Sequence, residues 1–193
     1  MERNGWLLVT SIFRAFLAAL LGVCLFFLPA ARAEYYGSVP DEGVYIEQTQ
    51  NHTCTLIAAT MMLRNHAWLK DSVYEMVTES AVRSSGWNSK GLKWDFSLGS
   101  VNVLCSHEIR QAEDKKQYLI ECLQQCPEGI VIYDANAPHA IWLFGYDEET
   151  DVFFCADTTT DVAGRPIPLD QSILRGESQE DKIATLDRIW YIA

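Results

Sequence analysis

The chain has 193 residues, 49% of them hydrophobic and 21% charged, with 11 glycines and 6 prolines. So apolar a composition excludes a disordered chain. A formal charge of -11 lacks the positive footprint that phosphate backbones attract, so no nucleic-acid partner is expected, and the length suits one domain.

The first 33 residues read as an export signal. Arg3 and Arg14 precede an uncharged apolar run of 14, Ala15 to Leu28, and Ala31-Arg32-Ala33 gives a small-x-small cleavage pattern before Glu34. The run is short for a bilayer span, which takes about 20 residues. The expectation is therefore a secreted, extracellular protein cleaved after Ala33, with no membrane association once the signal is removed; an uncleaved anchor is the rival. Residues 34–193 keep 12 basic and 25 acidic residues, a charge of -13, and five cysteines, Cys54, Cys105, Cys122, Cys126 and Cys155. An odd number of cysteines outside the cytoplasm leaves at least one thiol unpaired within the chain.

After a turn-rich lead through Gly37, Pro40 and Gly43 comes a short extended piece, Val44-Tyr45-Ile46. Cys54, Ile57, Ala58, Met61, Met62 and Asn65 then recur at helical spacing and predict a buried helix, with Asn51 or Thr53 as cap. A second helix is expected from Asp71 or Ser72 to Val82, and residues 84–100 as a packed irregular connection. A third helix is expected from Ala112 to Gln125, ended by Pro127 and Gly129. Ile130 to Tyr133, His139 to Tyr146, Val152 to Ala156 and Ile189 to Ile192 are β-branched and aromatic runs that predict strands. Helices first and strands later make the α+β pattern.

Cys54 falls at the start of the buried helix, where unpaired first-turn amides and the helix dipole favour a thiolate. A nucleophilic thiol needs a base and the base needs an orienting partner. Of the four histidines, His52 is two residues away and expected to point elsewhere, His66 lies roughly 18 Å along the same helix, and His107 sits in an uncertain segment. His139 opens a strand after Pro138 and is the best base. Its partner is then Asp157 on the next strand, provided the hairpin pairs Tyr146 with Thr150 or carries an equivalent bulge; pairing Tyr146 with Asp151 turns the carboxylate to the wrong face.

Cys54-Thr55-Leu56-Ile57-Ala58-Ala59-Thr60-Met61-Met62-Leu63 resembles the nucleophile helix of papain-fold cysteine peptidases, in particular the bacteriocin-leader-peptidase-like branch of secreted bacterial proteins. The segments Gly129 to Tyr133, Pro138 to Asp147 and Phe153 to Asp157 resemble its histidine and aspartate strands, so the likeness spans residues 44–160. It implies a papain-like fold with an N-terminal nucleophile helix on a mainly antiparallel sheet. It implies roles too: Cys54 as nucleophile, His139 as general base and acid, Asp157 as orienter. The family's oxyanion glutamine corresponds to Gln48, with Gln50 as fallback. Many relatives follow the cysteine with Gly-Pro or an aromatic residue, where this chain has Thr55-Leu56.

The reading is a secreted cysteine peptidase-like hydrolase acting on an amide bond through a thioester, its substrate a peptide or a cell-wall peptide. It needs no metal and no cofactor. A set of Cys105, His107, Cys122 and Cys126 lacks a strong zinc-ligand spacing. The alternatives are a non-catalytic papain-fold binding module and a cell-wall peptide amidase. The acidic run Asp147-Glu148-Glu149-Asp151 reads as a solvated hairpin tip.

Overall fold

The computed structural model describes residues 33–159 and 165–193. The export signal expected over 1–33 lies, but for its last residue, outside them. Residues Glu34–Ala193 form one compact unit. A first strand, β1 (Tyr35–Gly37), leads to helix α1 (Cys54–Leu69), which runs through strong helix formers without glycine or proline. Thr55 to Leu63 are all buried, as is Asn65, so α1 is enclosed on every side and not along one stripe. The cap differs from expectation. Thr53 is the N-cap, but its hydroxyl donates backwards to Gln50 O at 2.7 Å and leaves the first-turn amides uncapped by a side chain.

The second helix also differs. Asp71 turns the chain at φ 53°, a 3-10 turn covers Tyr74–Met76, and α2 (Glu79–Gly86) begins only where the Thr78 hydroxyl accepts from Ala81 N. Val73 and Met76, which suggested a buried stripe, are exposed. The connection expected to be irregular holds three short strands, β2 (Trp87–Asn88), β3 (Gly91–Leu92) and β4 (Phe96–Leu98), and an unforeseen longer strand, β5 (Val101–Ser106), follows it. Helix α3 (Lys115–Gln125) starts three residues later than expected because Asp114 caps it through Gln117 N.

The remaining elements are β6 (Ile130–Asp134), β7 (His139–Asp147), β8 (Val152–Ala156), β9 (Ile167–Pro168), α4 (Gln179–Thr185) and β10 (Arg188–Ile192). The main sheet runs β4-β5-β10-β6-β7-β8-β9 with every ladder antiparallel. The protein is thus α+β with a mostly antiparallel sheet. β6 covers the His139–Leu143 half of one β7 edge, and β1 pairs with the Gly145–Asp147 half.

Strand alternation splits the core in two. Val131, Ala140, Trp142, Phe144 and Trp190 pack with α1 on one face. Ile132, Ile141, Leu143, Phe153 and Ile189 pack with Leu119 and Leu123 of α3 and Ile183 of α4 on the other. The acidic hairpin tip is tied down rather than merely solvated, since Asp151 accepts from Lys116 Nζ at 2.7 Å and Tyr146 Oη at 2.6 Å. Among the described residues no helix is long and apolar enough to cross a membrane.

Gly129 leads into β6 at φ +86°, and a Cβ there would sit 2.5 Å from Leu143 O and 2.6 Å from Trp142 Nε1. Gly129→Ala therefore combines a left-handed backbone with a backbone clash, and is expected to cost more than about 2 kcal/mol of stability. Urea unfolding of the purified variant against the parent measures it; a loss below about 0.5 kcal/mol contradicts the packing described.

Candidate active site

The structure brings Cys54, His139 and Asp157 together from α1, the start of β7 and the end of β8. The hairpin does so by neither unbroken register considered from sequence but by a bulge, the equivalent that the sequence reading allowed. Tyr146 faces Phe153, and an unbroken ladder from there would put Asp157 opposite Trp142, on the wrong side. A bulge between Leu143 and Gly145 shifts the pairing to Leu143 with Cys155 and Trp142 with Ala156. Continued by one residue, the shifted ladder sets Asp157 on the same side as His139. His139 is held at its other neighbour by pairing with Asp134, whose buried carboxylate accepts from Asn136 N at 2.8 Å and closes the turn before the histidine.

His139 Nε2 meets Asp157 Oδ1 at 2.9 Å. The Asp157 side chain has no exposure at all. Its Oδ1 also accepts from the Thr159 amide and hydroxyl, at 3.2 and 3.3 Å, and Oδ2 from Ile173 N at 2.9 Å. Burial alone would raise this carboxyl, but hydrogen bonding to His139 and to these amides holds it below its usual range. The Ile173 amide is itself held in place, because buried Lys182 donates to the carbonyls of Ser172, Leu174 and Gly176 at 2.8 to 3.0 Å and so bends the loop around Asp157.

With Nε2 given to Asp157, the other ring nitrogen of His139 is the one left for Cys54. Burial pushes the Cys54 thiol up. A hydrogen bond and Coulomb attraction from His139, with the amides of Ala140 and Thr55, more than offset it and hold the thiol below its ordinary range. Reciprocally, burial depresses His139, but Asp157 and Cys54 raise it to about 9. The two shifts reinforce each other, the thiol down and the imidazole up, in the direction of a thiolate–imidazolium pair.

Gln48, which is not among the residues lining the Cys54 cavity, makes contacts that sequence did not suggest. Its amide N–H donates to Thr158 O at 3.1 Å, its Oε1 accepts from the Thr158 hydroxyl at 3.0 Å, and its Nε2 donates to Gln50 O at 2.7 Å. Gln48 thereby staples the segment before Cys54 to the loop after Asp157, leaving its second Nε2 hydrogen uncommitted in these bonds. The Gln50 side chain turns away to Arg83 at 3.2 Å.

A cavity of about 470 Å³ opens at Cys54. His52 lines it from a left-handed backbone at φ 62°, and Thr55 lines it while Leu56 is buried in the core. Trp87, Trp94 and Trp190, which the sequence marks as core or cleft walls, line it as well; the wall residues without a sequence signal include Lys90 and Lys93 from the stretch expected to be irregular, and Tyr133 and Arg188 from β6 and β10. All five cysteines of residues 34–193 are free thiols, and among the described residues no cluster of three or more metal-ligating side chains occurs. His107 packs edge-on against Trp94, and Cys105 lies opposite Trp190. Comparison with known proteins gives no matching family model, no similar curated protein and no similar solved structure.

The thiols are expected to separate sharply by pH. Burial raises Cys105 and Cys122 to about 11, Cys126 to about 12 and Cys155 well above its ordinary value, whereas Cys54 is lowered, so Cys54 ionises most readily of the five. Iodoacetamide with peptide mapping should label Cys54 at least about tenfold faster than any other thiol at pH 7. The Cys54 rate should fall as pH drops through its lowered pKa, and its advantage over the others should fade as pH rises toward about 11, where Cys105 and Cys122 ionise. Labelling of all five at one slow rate contradicts the ion pair.

Proposed function

We propose that the protein is a cysteine-type hydrolase of papain-like fold that cleaves an amide bond in a peptide, working outside the cytoplasm after removal of residues 1–33. The observation that carries the reading is the unbroken chain from Asp157 through His139, at 2.9 Å, to a thiol at a helix start. Further support comes from an enclosed nucleophile helix lying against an antiparallel sheet that supplies base and orienter, the arrangement the papain-like likeness implies.

The Cys54 thiolate attacks the carbonyl carbon, and the oxyanion accepts from the Cys54 amide, unpaired in the helix's first turn, and from the free Nε2 hydrogen of Gln48. His139 gives its proton to the leaving amine as the C–N bond breaks, forming the thioester. His139, now neutral, takes a proton from water as that water attacks the thioester carbonyl. Collapse expels the thiolate and restores the ion pair. Asp157 keeps the imidazole in one orientation throughout.

A fluorogenic peptide library tests this. Cys54→Ala should abolish turnover, and Asp157→Ala should lower kcat/KM by about tenfold to a thousandfold with a smaller loss for Asp157→Asn, which can still accept from Nε2–H. The rate should fall at low pH with protonation of Cys54 and at high pH near 9 with deprotonation of His139. Gln48→Ala should cost about a hundredfold in kcat while leaving Cys54 alkylation within a few-fold, since alkylation develops no oxyanion. Turnover that survives Cys54→Ala overturns the proposal.

A further inference from the structure

The wall of the Cys54 cavity has a charge opposite to that of the protein around it. Residues 34–193 carry 12 basic and 25 acidic residues, yet the charged residues lining the cavity are Lys90, Lys93 and Arg188, all basic. The three come from two elements, Lys90 and Lys93 from the β2–β3 hairpin and its continuation, Arg188 from the start of β10.

Neighbouring acids do not cancel this charge. Asp187 accepts from Arg188 at 3.2 and 3.0 Å, but the same carboxylate also pairs with Arg110 at 2.6 Å, so two guanidiniums share one anion. Asp95, next to Trp94, is turned to the Cys105 amide at 3.2 Å. Lys93 is anchored by donation to the neutral carbonyl of Ser85 at 2.6 Å, which fixes its place without removing its charge, and Lys90 is exposed. Arg188 lies over the Tyr133 ring at 4.9 Å, which holds the guanidinium beside the cavity.

Between these cations stand flat apolar walls. Trp87 and Trp190 are partly or fully packed, whereas Trp94 is 62% exposed and braced edge-on by His107 at 5.3 Å. An exposed indole at the mouth of a cationic cleft offers an apolar platform beside anion-binding groups.

From this charge inversion we propose that the cleft selects peptides bearing a carboxylate side chain next to the residue held at Cys54, met by Lys90, Lys93 and Arg188, with a neighbouring apolar residue laid on Trp94. The proposal deepens the hydrolase reading, but the selection itself rests on the cleft and not on turnover. A domain of net charge -13 repels acidic peptides at long range, so the cationic wall places a local attraction at the cavity that holds Cys54.

Two measurements test it independently of cleavage. In the first, the Cys54→Ala protein is titrated with labelled octapeptides that differ only by Glu, Gln or Lys at one position, scanned along the peptide. The best Glu peptide should bind about tenfold tighter than its Gln partner at about 20 mM salt, and the gap should close near 500 mM. In the second, intact protein is alkylated with iodoacetate and iodoacetamide. The anionic reagent should gain at Cys54 by several-fold over its ratio in the unfolded chain. The gain should shrink in Lys90→Glu, an exposed position, and in Arg188→Gln, whereas the His139 charge is common to all three proteins. Equal binding of Glu and Gln peptides, preference for Lys, or an alkylation ratio unmoved by Lys90→Glu overturns the proposal. A Glu preference in a protein that cleaves nothing upholds it and removes the hydrolase reading alone.

Discussion

A carboxylate with no access to solvent is tolerated only when every side of it is answered by donors, and Asp157 is the point at which this fold accepts that burden. Two amides, one hydroxyl and one imidazole converge on its two oxygens. The bulge in β7 and the loop bent around Lys182 can be understood as means of bringing those donors to one place. Once the anion is fixed, the imidazole is fixed, and a positive ring beside Cys54 makes a half-buried thiolate tolerable. The charge order from carboxylate to ring to sulfur is thus a single electrostatic unit, in which no member keeps its ordinary proton affinity without the others.

The same region also joins parts of the chain that share no secondary structure. Gln48 and Thr158 stand 110 positions apart and bond through both backbone and side chain, so the approach to α1 and the exit from β8 move as one piece. The cavity is completed by β6, β10 and the hairpin before β4. Cys54 and His139 therefore sit on the regular elements α1 and β7, while most of the other residues lining the cavity come from short strands and turns. That division suits a site whose chemistry is fixed and whose selectivity is adjustable.

Cys54, His139 and Asp157 were legible in the sequence because each falls at the end of a strongly patterned segment: an apolar helix start, a strand following proline, a strand ending in Ala-Asp. What the sequence did not disclose is how those segments meet. The bulge depends on Gly37 and Gly145 approaching closely where β1 replaces β6 beside β7, a tertiary fact with no local signature. β5 was missed although Val101, Val103 and Cys105 alternate with Asn102 and Ser106, because Leu104 breaks the pattern and six residues are too few to outweigh it. The second helix was set too early because Val73 and Met76 mimic a buried face while lying exposed, a distinction that only packing makes.

β10 pairs with β5 on one side and β6 on the other, and no other ladder among the described residues joins those two parts of the sheet. As it emerges from the ribosome, the polypeptide makes both flanks before the strand that unites them. Arg188 and Trp190, carried on that strand, arrive at the cavity last. A nascent chain stopped short of residue 188 holds Cys54, His139 and Asp157 but neither a continuous sheet nor a finished cavity wall, so synthesis itself delays the surroundings of the thiol until this strand has been made.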